Sequence, residues 1–342
     1  MDRFKGKAVG SSTFTTETRM EHSIALVTGT TSGLGYAAAR ALAGEGWREI
    51  IVTGRSLARA QETVAQLTAE TKMQVLTPLE LDLDTPSSVQ SALAELVKQG
   101  RPIEFLLLNA GMVGNKRVLT AAGIEADQAA LIGHHQLTVG LLNAKLLSPN
   151  ARIVIAGSEA ARGDVPLFSY TDVAAFAAKH YQGDRTAAVE ALIRSGPNVK
   201  YQANRAYADA KVFVAWWAAA LARRLPSGMA VYAVSPGSTP DTQAARNGSW
   251  ALKWLLVPIV KLIPGMSQTP ETAAHRYLQA SEFGTDVSGH FFASAPRKLT
   301  GPIEAMRQPH FHDRASQEAA WQAVVEVSGV DLSYPASLTA VS

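Results

Sequence analysis

The chain has 342 residues, 47% of them hydrophobic and 18% charged, with a net charge of +3. That balance suits a globular protein with a full core, and it is too weakly basic to point to nucleic acid as a partner. The absence of cysteine excludes disulfides and thiolate metal sites; it fits a reducing cytoplasm, the expected location.

Residues 1–22 lack the apolar middle of a signal peptide and are expected to form a flexible tail. From Ile24 onward short β-branched runs alternate with helical stretches. The expected strands are 24–28, 49–53, 73–81, 103–108, 151–157, 229–235 and 289–293. Their near-continuous apolar character suits a parallel sheet covered on both faces. Strand and helix in alternation imply right-handed crossovers, so the fold class is α/β, a Rossmann-type doubly wound sheet in one domain over 23–300.

Directly after the first strand comes "LVTGTTSGLGYAAARAL" (26–42). Gly29 permits a tight turn, Gly33 lets the backbone approach a pyrophosphate, and Gly35 lets the following helix pack close to the sheet. Amides at the helix start favour an anion there, which makes Thr31, Ser32 and Leu34 candidate cofactor contacts with the glycines. The second strand ends in "GRSLAR", with Arg55 where an NAD-binding protein carries an acid. A guanidinium pairs with a 2′-phosphate that a carboxylate would repel, so the expected cofactor is NADP(H).

Farther along, Tyr207 and Lys211 stand four apart in "NRAYADAK". A helix brings such residues onto one face. Tyr36/Arg40, Tyr181/Arg185 and Tyr201/Arg205 share the spacing, so spacing alone does not separate a tuned tyrosine from a solvated pair. Between 163 and 203 lie two expected helices, 171–181 and 185–195, read as an inserted helical lid. The Trp- and Leu-rich segment at 247–266 carries Trp250, Trp254, Leu255, Leu256 and Ile259, read as an apolar substrate loop. It is too short and interrupted to span a bilayer; contact with a membrane surface through Lys253 and Lys261 is the less favoured reading. Residues 301–342 are expected to be a C-terminal extension with one helix.

The Gly-x-x-x-Gly-x-Gly spacing, "LDLD", "LLLNAGM", "IVIAGSEA", "YADAK" and "SPGSTPDT" follow in one order, and together they resemble the short-chain dehydrogenase/reductase family from residue 24 to about 295. The resemblance implies that Asp82 and Leu83 border the adenine and that Asn109, Ala110 and Gly111 lie beside the cofactor ribose. It places Pro236, Gly237 and Thr239 near the nicotinamide. Ser158, Tyr207 and Lys211 become the implied catalytic residues: Ser158 polarises a carbonyl, Tyr207 exchanges the proton, and Lys211 lowers the tyrosine pKa and holds the ribose. The C-terminal "ASQEAAWQAVVEVSGV" is similar to the retinol-dehydrogenase-like branch.

Two departures stand out. Ala130 occupies the position where the family usually keeps an asparagine that supports a water chain to the active-site lysine, with Gln128 as a weak substitute. The serine-to-tyrosine linker is also longer than the family's, because of the insertion. His134 matches a structural histidine, and His310 and His312 are read as a tail loop; no metal is expected. The resemblance further implies a homodimer or homotetramer packed through the tyrosine helix, with one of Trp216 and Trp217 facing a partner or the lid. The expected function is NADP(H)-dependent interconversion of an alcohol and a carbonyl on a lipophilic small molecule. Two alternatives stay open, an NADP(H)-binding sensor or scaffold without turnover and a lyase or epimerase using the same tyrosine.

Overall fold

The structure is a computed structural model, and it describes residues 23–239 and 267–333. The 1–22 tail and the apolar loop at 247–266 lie outside the described residues. Eight strands make one sheet in the order β3-β2-β1-β4-β5-β6-β7-β8: β1 (Ile24–Val27), β2 (Glu49–Gly54), β3 (Leu76–Glu80), β4 (Ile103–Leu108), β5 (Leu147–Ala156), β6 (Ala230–Val234), β7 (Phe291–Ser294) and β8 (Ile303–Ala305). Every pairing is parallel except that of β8 with β7. The chain leaves β3 and returns on the other side of β1 as β4, with Val27 opposite Val52 and Leu107. That reversal opens a crevice at the carboxyl ends of β1 and β4, where doubly wound sheets bind ligands.

Helices cover both faces. On one side lie α1 (Gly33–Gly44), α2 (Leu57–Thr71) and α8 (Pro270–Ser281), with Ala38, Leu42, Leu67 and Tyr277 in the core. The other side holds α3 (Pro86–Gln99), α4 (Ala126–Asn143), α5 (Val173–His180), α6 (Arg185–Arg194), α7 (Ala203–Ala222) and α9 (Arg314–Ser328). Local signals set the helix ends. Asp172 accepts from the Ala175 amide, Asp184 from Thr186 and Ala187, and Asp313 from Ala315. Gly100 closes α3 at φ 63°, a conformation in which glycine carries no Cβ penalty.

Three expectations change. The residues after 300 are not an appendage: β8 extends the sheet, and α9 buries Trp321, Ala320 and Val324 against α4, α6 and α7. Tryptophans 216 and 217 are both buried. Trp216 Nε1 donates to the His310 carbonyl (2.7 Å) and Trp217 Nε1 to His135 Nδ1 (3.0 Å). Neither faces a partner, because the chain's own C-terminal helix covers that side of α7. The inserted helices are not a free lid either. In α6, Ala188, Val189 and Ile193 are fully buried and pack under α9. Arg117 fastens the end of α6, donating to the Ser195 hydroxyl and carbonyl at 2.9 Å each. What approaches Tyr207 is the first stretch of the insertion, ahead of its helices, through Phe168, whose ring meets the tyrosine edge-on at 6.0 Å.

Candidate active site

A cleft of about 600 Å³ lies at the carboxyl ends of β1, β2 and β4. Gly29, Thr31, Ser32, Gly33, Leu34, Arg55, Asp82, Leu83, Asn109, Ala110 and Gly111, all expected from sequence, line it. Thr28, Thr53, Asp84, Met112 and Ala130 line it as well. Gly29 (φ 70°) and Gly33 (φ 61°) take the left-handed backbone that glycine allows. Ser32 caps α1 by position, yet its side chain accepts no helix amide, leaving the hydroxyl and the first amides directed to a ligand. Gly35 works from beneath: a Cβ there would sit 2.5 Å from Asn109 Nδ2 and closer still to the Gly29 carbonyl. These features fit a phosphate-bearing dinucleotide, and the cleft volume is in the range of ordinary ligand sites.

The walls are tied by buried threonines. Thr28 Oγ1 accepts the Asn109 and Ala110 amides at 2.9 and 3.0 Å. Its hydroxyl also meets His134 Nε2 at 2.9 Å and donates towards the Leu107 carbonyl at 3.4 Å. Burial holds His134 neutral, its pKa lowered to about 3. Thr53, which the sequence reading passed over, accepts the Gly29 amide at 3.0 Å and pins the first turn. Its only sequence signal is its place at the end of β2. Asn109 Nδ2 reaches back to the Thr28 carbonyl at 3.0 Å. Asp82 lines the cleft and also holds the turn into α3, accepting from Thr85 Oγ1 at 3.3 Å. Arg55 is exposed at the rim, and its charge lowers the pKa of Asp84, which burial raises.

Ser158 follows β5, and Tyr207 and Lys211 lie in the first half of α7; none of the three is among the residues lining the 600 Å³ cleft. Ser158 stands beside Tyr207, where its hydroxyl favours the phenolate, and caps the short 3-10 turn Glu159–Arg162 by accepting from Ala160 N at 3.2 Å. Lys211 Nζ donates to the Ala156 carbonyl at 2.8 Å and lies 5.8 Å from the Tyr207 ring centre. It is 3.9 Å from the point where a Gly111 Cβ would begin, so it stands against the cleft wall. Of the four tyrosine/base pairs, this one alone stands beside Ser158. In the protein alone burial dominates both groups. Burial, with Glu159 and Asp127 nearby, pushes the Tyr207 pKa up to about 12. Burial also lowers Lys211 to about 8. Desolvation is the largest cause for both groups, since burial penalises the charged form of each.

Pro236, Gly237 and Thr239 follow β6 and are not among the residues lining the 600 Å³ cleft. A network that sequence reasoning missed holds this turn. Glu159, 5% exposed, accepts from Ser235 Oγ, from Ser294 Oγ at 3.0 Å and from Arg276 at 3.3 Å. Arg276 also donates to the Ser235 carbonyl at 3.1 Å. The carboxylate beside the active-site serine thus ties β5, β6 and β7 together, and a Gly237 Cβ would press on Arg276 at 2.8 Å. His310 and His312 are no tail loop: they lie in a 3-10 turn, bonded to the Ala161 and Met306 carbonyls. Among the described residues no group of three or more His, Cys, Asp or Glu is placed to hold a metal, and no helix is long and apolar enough to cross a membrane.

Comparison with known proteins agrees with this geometry. The short chain dehydrogenase family model matches residues 23–180. "Oxidoreductase fscI" of Fusarium equiseti is 32% identical over 213 residues, covering 60% of this chain and 82% of that protein. Retinol dehydrogenase 12 of Homo sapiens is 23% identical over 319 residues, 92% of this chain and 89% of that protein. The chain spans just under two thirds (66%) of the WW domain-containing oxidoreductase of Drosophila melanogaster, to which it is 28% identical over 292 residues, 83% of this chain. A Burkholderia cenocepacia short chain dehydrogenase crystallised with NADP has the same fold, with a TM-score of 0.56 and 24% identity, over 80% of this chain and 96% of that one. With the glycine turn, the Asn-Ala-Gly strand end and the Ser158–Tyr207–Lys211 group in register, the chain belongs to the short-chain dehydrogenase/reductase family.

Proposed function

We propose that the protein is an NADP(H)-dependent oxidoreductase that interconverts an alcohol and a ketone or aldehyde on an apolar small molecule. The observation that carries this reading is Lys211, 5.8 Å from the Tyr207 ring centre and against the wall of the glycine-lined cleft, with Ser158 beside the tyrosine. The glycine turn, the α1 amides and Arg55 would hold the dinucleotide, and NADPH, when bound, supplies the hydride. Arg55 at the rim, with no acid at the end of β2, favours the 2′-phosphate form. The Burkholderia relative crystallised with NADP supports the same choice.

The residues then divide the work. Ser158 donates a hydrogen bond to the substrate carbonyl oxygen and polarises it. Tyr207, protonated throughout the neutral range at a pKa of about 12, donates its phenolic proton as the oxygen gains charge, which suits reduction. Lys211, anchored on the Ala156 carbonyl, stabilises the phenolate left behind. Phe168 on the tyrosine ring and the retinol dehydrogenase among the relatives support an apolar substrate. We place the protein in the cytoplasm. Any self-association uses a surface other than the apolar side of α7, which α9 occupies.

A reading as an NADP(H)-binding protein without turnover draws on Ala130 in the cleft wall. Following NADPH absorbance with aromatic, steroid-like and long-chain ketones separates the two. Turnover on any of them supports the enzyme; tight NADPH binding with no turnover on the panel supports the binder.

A further inference from the structure

The first turn of α4 carries two acids that the chemistry above does not use. Glu125 is 1% exposed and accepts the Asp127 amide at 2.9 Å; Asp127 is 8% exposed and accepts the Gly114 amide at 2.6 Å. The other oxygen of each carboxylate, Asp127 Oδ2 and Glu125 Oε1, is buried without a protein partner, as is the Tyr201 hydroxyl. Buried polar atoms are nearly always paired. Orphan acceptors and a hydroxyl of this kind mark places suited to water.

The three groups connect two regions. The point where a Gly114 Cβ would begin is 3.2 Å from Asp127 Oδ2 and 3.4 Å from Tyr201 Oη, so both border one gap. Tyr201 and Glu125 also line a second cavity of about 580 Å³ between α4, α7 and the insertion. That cavity reaches the surface beside exposed Lys179 and Lys200. On the inner side Asp127 and Lys211 act on each other's charge. Asp127 precedes Ala130 by three residues, hence on the same face of α4.

We propose that Asp127 is the proton entry to Lys211, fed by water held between Asp127, Tyr201 and Glu125 in the cavity beneath the insertion. The proposal rests on the oxidoreductase reading and assigns Asp127 as a positioning residue acting through the lysine. Each carbonyl reduction removes one proton from Tyr207. The Tyr207 phenolate takes its replacement from the Lys211 ammonium, the Lys211 amine left behind takes a proton from the Asp127 carboxyl, and the Asp127 carboxylate is reprotonated from solvent through the cavity, so each turnover takes up one solvent proton. No other reactant is consumed. The groups facing Asp127 are Lys211 and Tyr207 from α7, Tyr201 from the segment before it and Glu125 from its own helix end; Arg117 faces Glu125.

The test compares Asp127→Asn and Gly114→Ala with the wild type, using NADPH and an accepted carbonyl across pH. Asparagine keeps the shape but carries no proton, so kcat is expected to fall at least tenfold with an altered pH profile, while KM and the NADPH Kd stay within about twofold. Gly114→Ala places a methyl in the gap; kcat is expected to fall with Tm unchanged. The Lys211 pKa, read by 15N NMR of its ammonium without NADPH, is expected to drop further in Asp127→Asn. A kcat within twofold of wild type and an unmoved pH profile in Asp127→Asn overturn the proposal. If that variant does not fold, a kcat within twofold in Gly114→Ala overturns it. If the wild type turns over no carbonyl, the functional reading has failed instead, and an unmoved Lys211 pKa then rejects the Asp127 coupling independently.

Discussion

Replacing Gly35 by alanine adds one methyl at the tightest point beneath the cleft. The new Cβ would lie 2.5 Å from Asn109 Nδ2 and 2.8 Å from the Gly29 carbonyl carbon, where 3.4 Å begins ordinary contact. Neither neighbour yields easily. Asn109 is tied to the Thr28 carbonyl, and Gly29 is already wedged at φ 70° with its own Cβ position 2.9 Å from Ala110 Cα. The start of α1 must therefore withdraw by about 1 Å, and overpacking of this kind costs about 1–3 kcal/mol. The withdrawal also carries the α1 amides away from the phosphates. A loss of about 1.4 kcal/mol in that contact weakens binding about tenfold. Calorimetric titration with NADPH, beside thermal unfolding, reads both effects: a Kd raised about ten- to a hundredfold and a Tm lowered by several degrees. An alanine variant with Kd within twofold and an unchanged Tm would refute the packing account of this glycine.

Two further predictions follow from the rim and the core. Arg55→Ala is expected to weaken NADPH binding by about 1.5–3 kcal/mol, the worth of a charge-assisted hydrogen bond, and to leave NADH nearly unchanged; equal losses for both cofactors contradict the assignment to the 2′-phosphate. His135 is held neutral in the fold, its pKa lowered from 6.5 to about 4 by burial. As pH falls from 7 to 5 the unfolded chain takes up a proton the native state refuses, so this group's contribution is lost on acidification, by about 2 kcal/mol at pH 5. Glu125 and Asp209, both raised to about 7 by burial, run the opposite way. Urea unfolding of His135→Gln against wild type at pH 7 and pH 5 isolates the term, and the same pH-dependent loss in both proteins rejects it.

The features legible in the sequence were those whose signal is local. β4 runs over Ile103–Leu108 as its apolar run indicates, and the turn from Gly29 to Gly35 lies where glycine spacing places it. The features that were not legible depend on distant partners. β8 is three residues, Ile-Glu-Ala, too short for any period, and becomes a strand only because β7 leaves an edge open to it. One of Trp216 and Trp217 was expected to face a partner or the lid because the group that Trp216 bonds, the His310 carbonyl, lies 94 positions away. Glu159 carried no signal of its own in the sequence, because Arg276, which makes it the brace behind Ser158, lies 117 positions on. The burial that pushes the Tyr207 pKa up in the protein alone was not legible, because helical spacing reports the lysine one turn on and says nothing of burial.

The central claim is that Tyr207 delivers the proton in an NADPH-dependent carbonyl reduction. Tyr207→Phe removes one hydroxyl and keeps the ring that Phe168 touches. NADPH oxidation by this variant, beside its NADPH Kd, tests the claim most directly. The account predicts turnover below about a thousandth of wild type, in line with the loss of a general acid, with the Kd nearly intact. A variant that keeps more than about a tenth of the wild-type rate contradicts it.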